Sequence, residues 1–269
     1  MPFDFAKLRR GPDPTKPPRI VAMGPQGVGK STWANSAPNP IFIQCEDGLD
    51  AINVNAAFPL ATSLQEVLDQ IGVLITDQHD FKTVVIDTAD WLEHLIHKAV
   101  AAAHKVESID QIPYGKGYRP AADECRKVLE GLDLLRNEKR MTVIVLAHVK
   151  IKRFDDPMTD AYDRYLLDLH DSMSSLLIEW CDVLGFIQHA VAVKTTEAGF
   201  NQKRSRGIGS GERVLYLEER PGFIAKNRYG LPPSLPFPKE GGWQVFERAM
   251  AEARQTTKTD VKPRPVAAE

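Results

Sequence analysis

The segment Gly24–Thr32, with the sequence GPQGVGKST, constrains this 269-residue chain more than any other stretch. Glycines at its first and sixth positions are followed at once by Lys30 and Ser31. Such glycines allow a tight loop whose backbone N–H groups approach an anion closely, and the lysine can reach β and γ phosphates. An apolar strand pattern at Ile20–Met23 precedes the loop, and a helical pattern follows it. This context predicts a nucleotide phosphate site rather than a chance glycine turn.

A second apolar run supplies the residue expected to hold magnesium. Thr83–Ile86 has the pattern of a buried strand, and Asp87 follows at its end. We expect Asp87 to hold Mg²⁺ through a water molecule and the Ser31 hydroxyl to bind the ion directly. Asp87 is also placed to cap the next helix together with Thr88, and the two roles are compatible. The predicted ligands are ATP and Mg²⁺, and the predicted binding residues are Gly24, Pro25, Gln26, Gly27, Val28, Gly29, Lys30, Ser31, Thr32 and Asp87.

Hydrolysis of a nucleotide needs a group that activates water, and the sequence offers Glu46. This residue follows the apolar run Pro40–Cys45, where the carboxyl end of a second strand meets the ligand crevice of an open α/β sheet. Thr88, rather than a carboxylate, follows Asp87, which leaves Glu46 as the predicted base. Asp47 is an adjacent rival, and a solvated strand end is the alternative interpretation.

The order of the apolar runs predicts the fold. Apolar strand patterns alternate with helical patterns up to residue 147, which is typical of a parallel sheet covered by helices on both faces. After residue 182 the strand patterns follow one another without helices, which predicts an antiparallel extension. The expected strands are Ile20–Met23, Pro40–Cys45, Thr83–Ile86, Met141–Ala147, Val183–Ile187, Ala190–Lys194, Val214–Glu218 and Phe223–Ala225, and the expected helices are Ser31–Ser36, Ser63–Thr76, Trp91–His104, Ala121–Lys139 and Trp243–Arg254. We therefore expect an arm at 1–18, one α/β domain at 19–254 and a disordered tail at 255–269.

Composition excludes several classes of protein. The formal net charge of −2 means that any nucleic-acid surface has to be a local patch. Three cysteines without a CxxC spacing exclude a disulfide framework and a cysteine zinc site, and each is expected to be a small buried residue. No apolar run is long enough to cross a bilayer, and the first residues lack a signal-peptide core. We expect a cytoplasmic protein without membrane contact.

At this point the chain resembles the RecA-like ATPases, over about residues 19–230. The resemblance implies a RecA-like P-loop NTPase core, with a mostly parallel sheet flanked by helices and an antiparallel C-terminal extension. It places the family's catalytic glutamate at Glu46, in the context EDGLD. It also places a polar γ-phosphate sensor at His148, where many relatives have glutamine or asparagine. A buried structural histidine is the alternative interpretation.

The segment GFIAKNRYG carries a second part of the resemblance. It looks like the lysine–x–arginine element of hexameric replicative helicases and related ATPases, whose two cations reach the γ-phosphate held by a neighbouring subunit. That implies catalytic roles for Lys226 and Arg228. A basic β-turn that faces solvent is the alternative.

The overall pattern is similar to phage-encoded RecA-like proteins of the single-strand annealing and recombination type. The shared pieces are the phosphate loop, YGKGY, AHVK and AKNRYG, in this order. This similarity implies single-stranded DNA as a partner, a ring or filament of identical subunits, and a single-strand-binding protein as a further partner. A helicase-related motor and a loader-like nucleotide switch are the alternatives. A metabolic kinase is disfavoured because no cluster of arginines suggests a lid.

The resemblance to RecA-like proteins, in which two loops hold single-stranded DNA, implies two such loops here. One, at residues 108–120, mixes aromatic rings for base stacking with cations for phosphates, and the other follows His148. An ordinary connector is the alternative for the first loop, and four aspartates in the second argue against a simple phosphate groove. The predicted DNA-binding residues are Tyr114, Lys116, Tyr118, Arg119, Lys150, Lys152 and Arg153. A third basic patch, QKRSR at 202–206, is more typical of a solvated charge run.

Overall fold

Five parallel strands form the centre of the sheet. The computed structural model describes residue 13 and residues 16–197 and 203–259. The parallel strands are β1 (Arg19–Met23), β2 (Pro40–Gln44), β3 (Thr83–Asp87), β4 (Thr142–Ala147) and the first part of β7 (Val183–Glu197). They lie in the order β2–β3–β4–β1–β7. Their side chains are apolar on both faces because helices cover both faces of the sheet.

Antiparallel strands extend the sheet beyond β7. Strand β8 (Lys203–Tyr216) pairs with β7, β10 (Ser234–Pro236) pairs with β8, and the short β9 (Lys226–Asn227) pairs with the start of β7. The predicted α/β class, with a mostly parallel sheet and an antiparallel C-terminal extension, is confirmed.

Two details of the predicted extension were wrong. The expected strands Val183–Ile187 and Ala190–Lys194 form one continuous strand whose pairing with β8 shifts register after His189. The apolar run Phe223–Ala225 is not a strand of the sheet. Phe223 makes only isolated bridges there, because its backbone N–H and carbonyl are paired with Arg220 across a turn, while its ring packs against Phe186 at 4.7 Å.

Helices of the described residues divide between the two faces of the sheet. One face is covered by α2 (Leu64–Thr76), α3 (Ala89–Ala103), α4 (Tyr118–Glu138) and α5 (Asp171–Trp180), and the other by α1 (Lys30–Asn35) and α6 (Gly242–Thr259). The three cysteines are free and buried, as predicted. Helix α6 continues to Thr259, into the segment where a disordered tail was predicted.

The segment after His148 contains regular structure where only a loop was predicted. Strands β5 (Val149–Phe154) and β6 (Tyr162–Leu167) form a separate antiparallel hairpin, and α5 follows it. The alternation of apolar and basic residues in VKIKRF is a strand pattern, but it is short and its outer half is exposed. Residues 1–12, 14, 15 and 260–269 of the predicted arm and tail, and the start of the basic patch at 202–206, lie outside the described residues. Among the described helices, none has the length and apolarity to cross a membrane.

Candidate nucleotide-binding site

The phosphate loop connects the end of β1 to α1 and closes on its own lysine. Lys30 Nζ donates hydrogen bonds to the carbonyl oxygens of Gly24 at 2.9 Å and Pro25 at 3.0 Å. Burial lowers the pKa of Lys30 to about 8, although the charges of Asp87, Asp90 and Glu46 oppose this shift. A phosphate group that entered the loop would therefore meet a cation held within hydrogen-bond reach of the loop backbone.

Two glycines are required by this loop geometry. Gly29 has φ of 97°, a left-handed conformation that glycine adopts without strain. At Gly24, a Cβ atom would lie 2.5 Å from the backbone oxygen of Ile187 on the neighbouring strand β7. The loop thus packs directly against the sheet at Gly24, where a side chain would require movement of the backbone, whereas at Gly29 a Cβ would meet the end of the Arg213 side chain.

An open cleft of about 390 Å³ lies over the loop. It brings together the predicted residues Lys30, Ser31, Glu46, Asp87 and His148, which come from the loop and from the ends of β2, β3 and β4. Its lining residues are Gln26, Gly27, Gly29, Lys30, Ser31, Thr32, Glu46, Gly48, Ile52, Asp87, Thr88 and His148. The convergence of these strand ends is the expected location of a ligand in an open α/β sheet.

Ser31 and Asp87 form the candidate magnesium position. Asp87 is 5% exposed, and its carboxylate accepts a hydrogen bond from the Ser31 hydroxyl. Burial raises the pKa of Asp87, while the Ser31 hydrogen bond and the charge of Lys30 act in the opposite direction. A hydroxyl and a carboxylate are the hard oxygen donors that Mg²⁺ prefers, so the residues present fit this ion. Thr88 is the N-cap residue of α3, but its side chain makes no capping hydrogen bond to the helix.

Glu46 faces the cleft, whereas its rival Asp47 is exposed and does not line it. The Thr88 hydroxyl donates a hydrogen bond to Glu46 Oε2 at 3.2 Å. This contact fixes the orientation of the carboxylate beside the phosphate loop. The geometry therefore favours Glu46 over Asp47 as the base, and its catalytic role stays a prediction.

His148 is held by Asp90, a residue that the sequence analysis did not single out. Its backbone N–H donates to Asp90 Oδ1 at 3.1 Å, and its ring Nδ1 lies 2.9 Å from Asp90 Oδ2. Burial tends to raise the pKa of Asp90, but the hydrogen bonds from His148 lower it below its usual value. Oxygen and nitrogen atoms of Glu46, Asp90 and His148 lie within 4.8 Å of one another. The sequence does carry a signal for Asp90: it is an acidic residue three positions after Asp87, in the first turn of the following helix.

Arg213 is a second residue that the sequence analysis missed. It lies on β8, and its Nη1 donates to the carbonyl oxygen of Val28 in the phosphate loop at 2.6 Å. Its guanidinium also lies 5.1 Å from the centre of the Phe237 ring and directly beside Gly29. The contact spans 185 positions of sequence, so no local pattern indicates it.

Lys226 and Arg228 lie away from this cleft. Asn227, which lies between them, pairs with Val183 at the start of β7, and Val183 pairs with Ile20 at the start of β1. The phosphate loop, by contrast, follows the other end of β1. Lys226 Nζ donates to the backbone oxygens of Ile178 and Glu179 at the end of α5, and Arg228 Nη2 donates to the latter at 3.1 Å. Lys226 is partly buried and Arg228 is exposed, and both donate to carbonyl oxygens at the end of α5. Their role at a neighbouring subunit stays a prediction.

The first predicted DNA loop presents one fully exposed ring and one packed ring. Tyr114 is 95% exposed, and Lys116 Nζ lies 5.8 Å from the centre of its ring. Tyr118 instead begins α4, stacks on His170 at 3.8 Å and donates its hydroxyl hydrogen to Asp110 at 2.6 Å. Arg119 is exposed.

The second predicted DNA segment is the β5–β6 hairpin. Lys150 Nζ donates to the backbone oxygen of Leu169 at 2.7 Å, Lys152 Nζ lies 3.3 Å from Asp171 Oδ2, and the Arg153 side chain is exposed. Since Asp171 follows His170, the two predicted DNA elements meet at the start of α5. Their DNA-binding role stays a prediction.

These features define the class of protein. A glycine-rich phosphate loop between a central parallel strand and a helix, with a buried aspartate at the end of the strand two places away, is the site of a P-loop nucleotide-binding protein. The chain belongs to the AAA domain family, whose sequence profile matches residues 16–229. With this match and the order of the strands, the predicted RecA-like P-loop ATPase fold is confirmed.

No curated protein matches the sequence. One similar solved structure is described as the crystal structure of the RadB recombinase. It shares 16% sequence identity with this chain at a TM-score of 0.43, and the alignment covers 84% of this chain and 90% of that one.

Proposed function

We propose that this chain is an ATPase that binds single-stranded DNA and supports recombination or annealing of the phage type as a ring or filament. The observation that carries the proposal is the convergence of Lys30, Ser31, Asp87, Glu46 and His148 on one cleft. Binding a phosphate alone requires only the loop. A carboxylate base and a polar sensor opposite the loop are the additional groups that hydrolysis of a γ-phosphate needs.

The residues have separate roles in this reaction. The loop N–H groups and Lys30 hold the phosphates, while Ser31 and Asp87 would hold Mg²⁺, which neutralises charge on the phosphate oxygens. Glu46, oriented by Thr88, accepts a proton from the attacking water. His148 reports the γ-phosphate through its ring, whose position Asp90 fixes.

A neighbouring subunit completes the site in this proposal. Arg228 is 49% exposed, and its contact with Asp182 is a long one, 3.4 Å from Nη1 to Oδ1. It can therefore leave this contact to reach a phosphate at a small electrostatic cost. An arginine supplied in trans neutralises transition-state charge and makes hydrolysis depend on assembly.

The nucleotide and DNA elements are connected through α3. Asp90 on α3 holds His148 in the cleft, and Glu93, one turn later, accepts the backbone N–H of His170 at 2.9 Å. His170 in turn stacks on Tyr118 of the first loop. A change at the γ-phosphate thus has a continuous path of contacts to both predicted DNA elements, which supports DNA-stimulated hydrolysis.

The test is steady-state ATP hydrolysis by purified protein, with and without single-stranded DNA, for wild type, Lys30→Ala and Glu46→Gln. We expect DNA to raise wild-type turnover and both variants to lose it. Turnover that ignores DNA while Lys30→Ala remains inactive would instead indicate a nucleotide switch. Displacement of a strand from duplex DNA would indicate a helicase-related motor.

A further inference from the structure

A row of aromatic and imidazole rings lies on the surface beside the nucleotide cleft. It consists of Trp91, His94 and His97 on α3, with Tyr118 and His170. We call these five residues the α3 ring row. The Trp91 and His94 ring centres are 5.7 Å apart, as are those of His97 and Tyr118, and Tyr118 stacks on His170 at 3.8 Å with an interplanar angle of 3°.

Trp91 is the exposed tryptophan of this chain. Its side chain is 45% exposed, whereas Trp33 and Trp243 are buried in the core on the other face of the sheet. Trp91, His94 and Lys98 follow one another at helical spacing, and all three are exposed. The solvent-exposed face of α3 therefore carries two rings and a cation one after another. Polar residues without rings are usual on such a face.

The charges around the ring row are mixed, and the cations lie at its outer side. Lys98, Lys116 and Arg119 are exposed. Among the nearby acids, Asp110 is engaged by the Tyr118 hydroxyl at 2.6 Å, and Asp171 faces Lys152. Rings bordered by cations are the combination that holds a single strand without sequence readout.

The ring row is also connected to the nucleotide cleft. Trp91 directly follows Asp90, which binds both the backbone and the ring of His148. Glu93 on the same helix accepts the backbone N–H of His170 at 2.9 Å. The first turns of one helix therefore contact both the residues of the cleft and those of the ring row.

We infer that the α3 ring row is a base-stacking surface for single-stranded nucleic acid, with Trp91 as its principal ring. This inference rests on the proposed function, because it assigns the DNA contact to α3 in addition to the two predicted loops. Every base has a flat face that an exposed ring can cover, so the surface tolerates any sequence.

The experiment measures binding of fluorescein-labelled oligo(dT) by anisotropy, in the presence of Mg²⁺ and a non-hydrolysable ATP analogue. Wild type is compared with Trp91→Ala, Trp91→Phe and His94→Ala, and folding is checked by circular dichroism. Leu134→Ala is the matched control, since Leu134 on α4 is similarly exposed at 47%. We expect Trp91→Ala to weaken binding by at least about five-fold, the lower end for one stacked base. Trp91→Phe, which keeps a ring, should retain most of the affinity, and Leu134→Ala all of it.

Three results would overturn the inference. If Trp91→Ala and His94→Ala bind oligo(dT) like wild type while Lys116→Ala loses affinity, the loops alone hold DNA and only the ring row is refuted. If wild type does not bind oligo(dT), the proposed DNA function fails together with the inference. If Trp91→Ala changes the oligomer size at unchanged DNA affinity, the ring row is a protein interface.

Discussion

At the scale of single residues, the proposed function assigns proton transfer from the attacking water to the carboxylate of Glu46. Glu46→Gln keeps the shape of the side chain and removes the proton acceptor, so we expect turnover to fall by about 100-fold or more. Nucleotide affinity should change little, because the loop and Lys30 remain. Asp47→Asn is the matched control, since Asp47 is exposed and does not line the cleft.

Both variants can be measured by ATP turnover and by titration with a fluorescent nucleotide. An equal loss of turnover in Asp47→Asn would contradict the assignment of the base. Loss of nucleotide binding in Glu46→Gln would show that the glutamate acts in binding rather than in proton transfer.

Glu93 predicts a pH dependence of stability. Burial raises its pKa from the usual 4.5 to about 7, despite the hydrogen bond from the His170 backbone and the charge of Lys150, while Asp168 and Asp90 reinforce the rise. The folded state therefore binds a proton more tightly than the unfolded chain, so this group lowers stability as pH rises from about 4.5 to about 7. Below pH 4.5 Glu93 does not lower the free energy of unfolding, and above about pH 7 the loss of stability stays constant.

The check is the melting temperature of wild type and Glu93→Gln across this pH window. The variant should gain on wild type as pH rises to about 7 and then keep a constant difference. Glu107→Gln, which alters an exposed carboxylate, should show no such trend. A difference between wild type and Glu93→Gln that does not vary with pH would contradict the buried, protonated state of Glu93.

The sequence predicted those site residues whose position follows from a local pattern. Glu46, Asp87 and His148 each stand at the end of an apolar strand, and the ends of parallel strands meet at one edge. Asp90 and Arg213 were missed because their roles come from contacts across 58 and 185 positions. Only the folded sheet brings those partners together.

At the scale of elements, Asp182 joins the end of α5 to the sheet. Its carboxylate accepts hydrogen bonds from Arg19 Nη2 at 2.9 Å and Arg136 Nη2 at 3.0 Å, and Arg228 Nη1 lies at 3.4 Å. Burial tends to raise the pKa of Asp182, but the hydrogen bonds and charge of Arg19 lower it below the usual value. We expect Asp182→Ala to lower the free energy of unfolding by about 3–5 kcal/mol, because it leaves partly buried cations without their acceptor.

Chemical denaturation would measure this loss, with Asp133→Ala as the control. Asp133 also pairs with Arg19, at 3.2 Å, but its side chain is 33% exposed, so this ion pair is closer to solvent than the one with Asp182. Its loss should therefore cost much less, within the range of surface ion pairs. Similar destabilisation by the two variants would contradict a special role of Asp182.

Elements were predictable where burial made the pattern long and uniform. The parallel strands and helices α2, α3 and α4 were predicted to within a few residues, because each presents a full apolar stripe to the core. The β5–β6 hairpin was missed because half of it is exposed, so only a short alternation marks it. The prediction of a strand at Phe223–Ala225 was wrong because the apolar side chain of Phe223 packs against other aromatic rings, while the segment does not pair as a strand of the sheet.

At the scale of the whole molecule, the cleft and strand β9, which Arg228 follows, lie at opposite ends of the parallel strands. One subunit cannot bring Arg228 to its own phosphate loop while β9 stays paired with β7. In the proposed head-to-tail ring or filament, the β9 end of one subunit would face the cleft of its neighbour. Hydrolysis that rises more steeply than protein concentration is the expected consequence.

The most direct test mixes two inactive proteins, Glu46→Gln and Arg228→Ala, and measures ATP turnover of the mixture. If sites are shared, each alone is inactive, but about a quarter of the interfaces in an equal random mixture pair an intact glutamate with an intact arginine. Turnover should then recover on mixing. Arg220→Ala, which changes an exposed arginine, is the control and should be active by itself. Full activity of Arg228→Ala alone, or no recovery on mixing, would contradict a site completed by the neighbouring subunit.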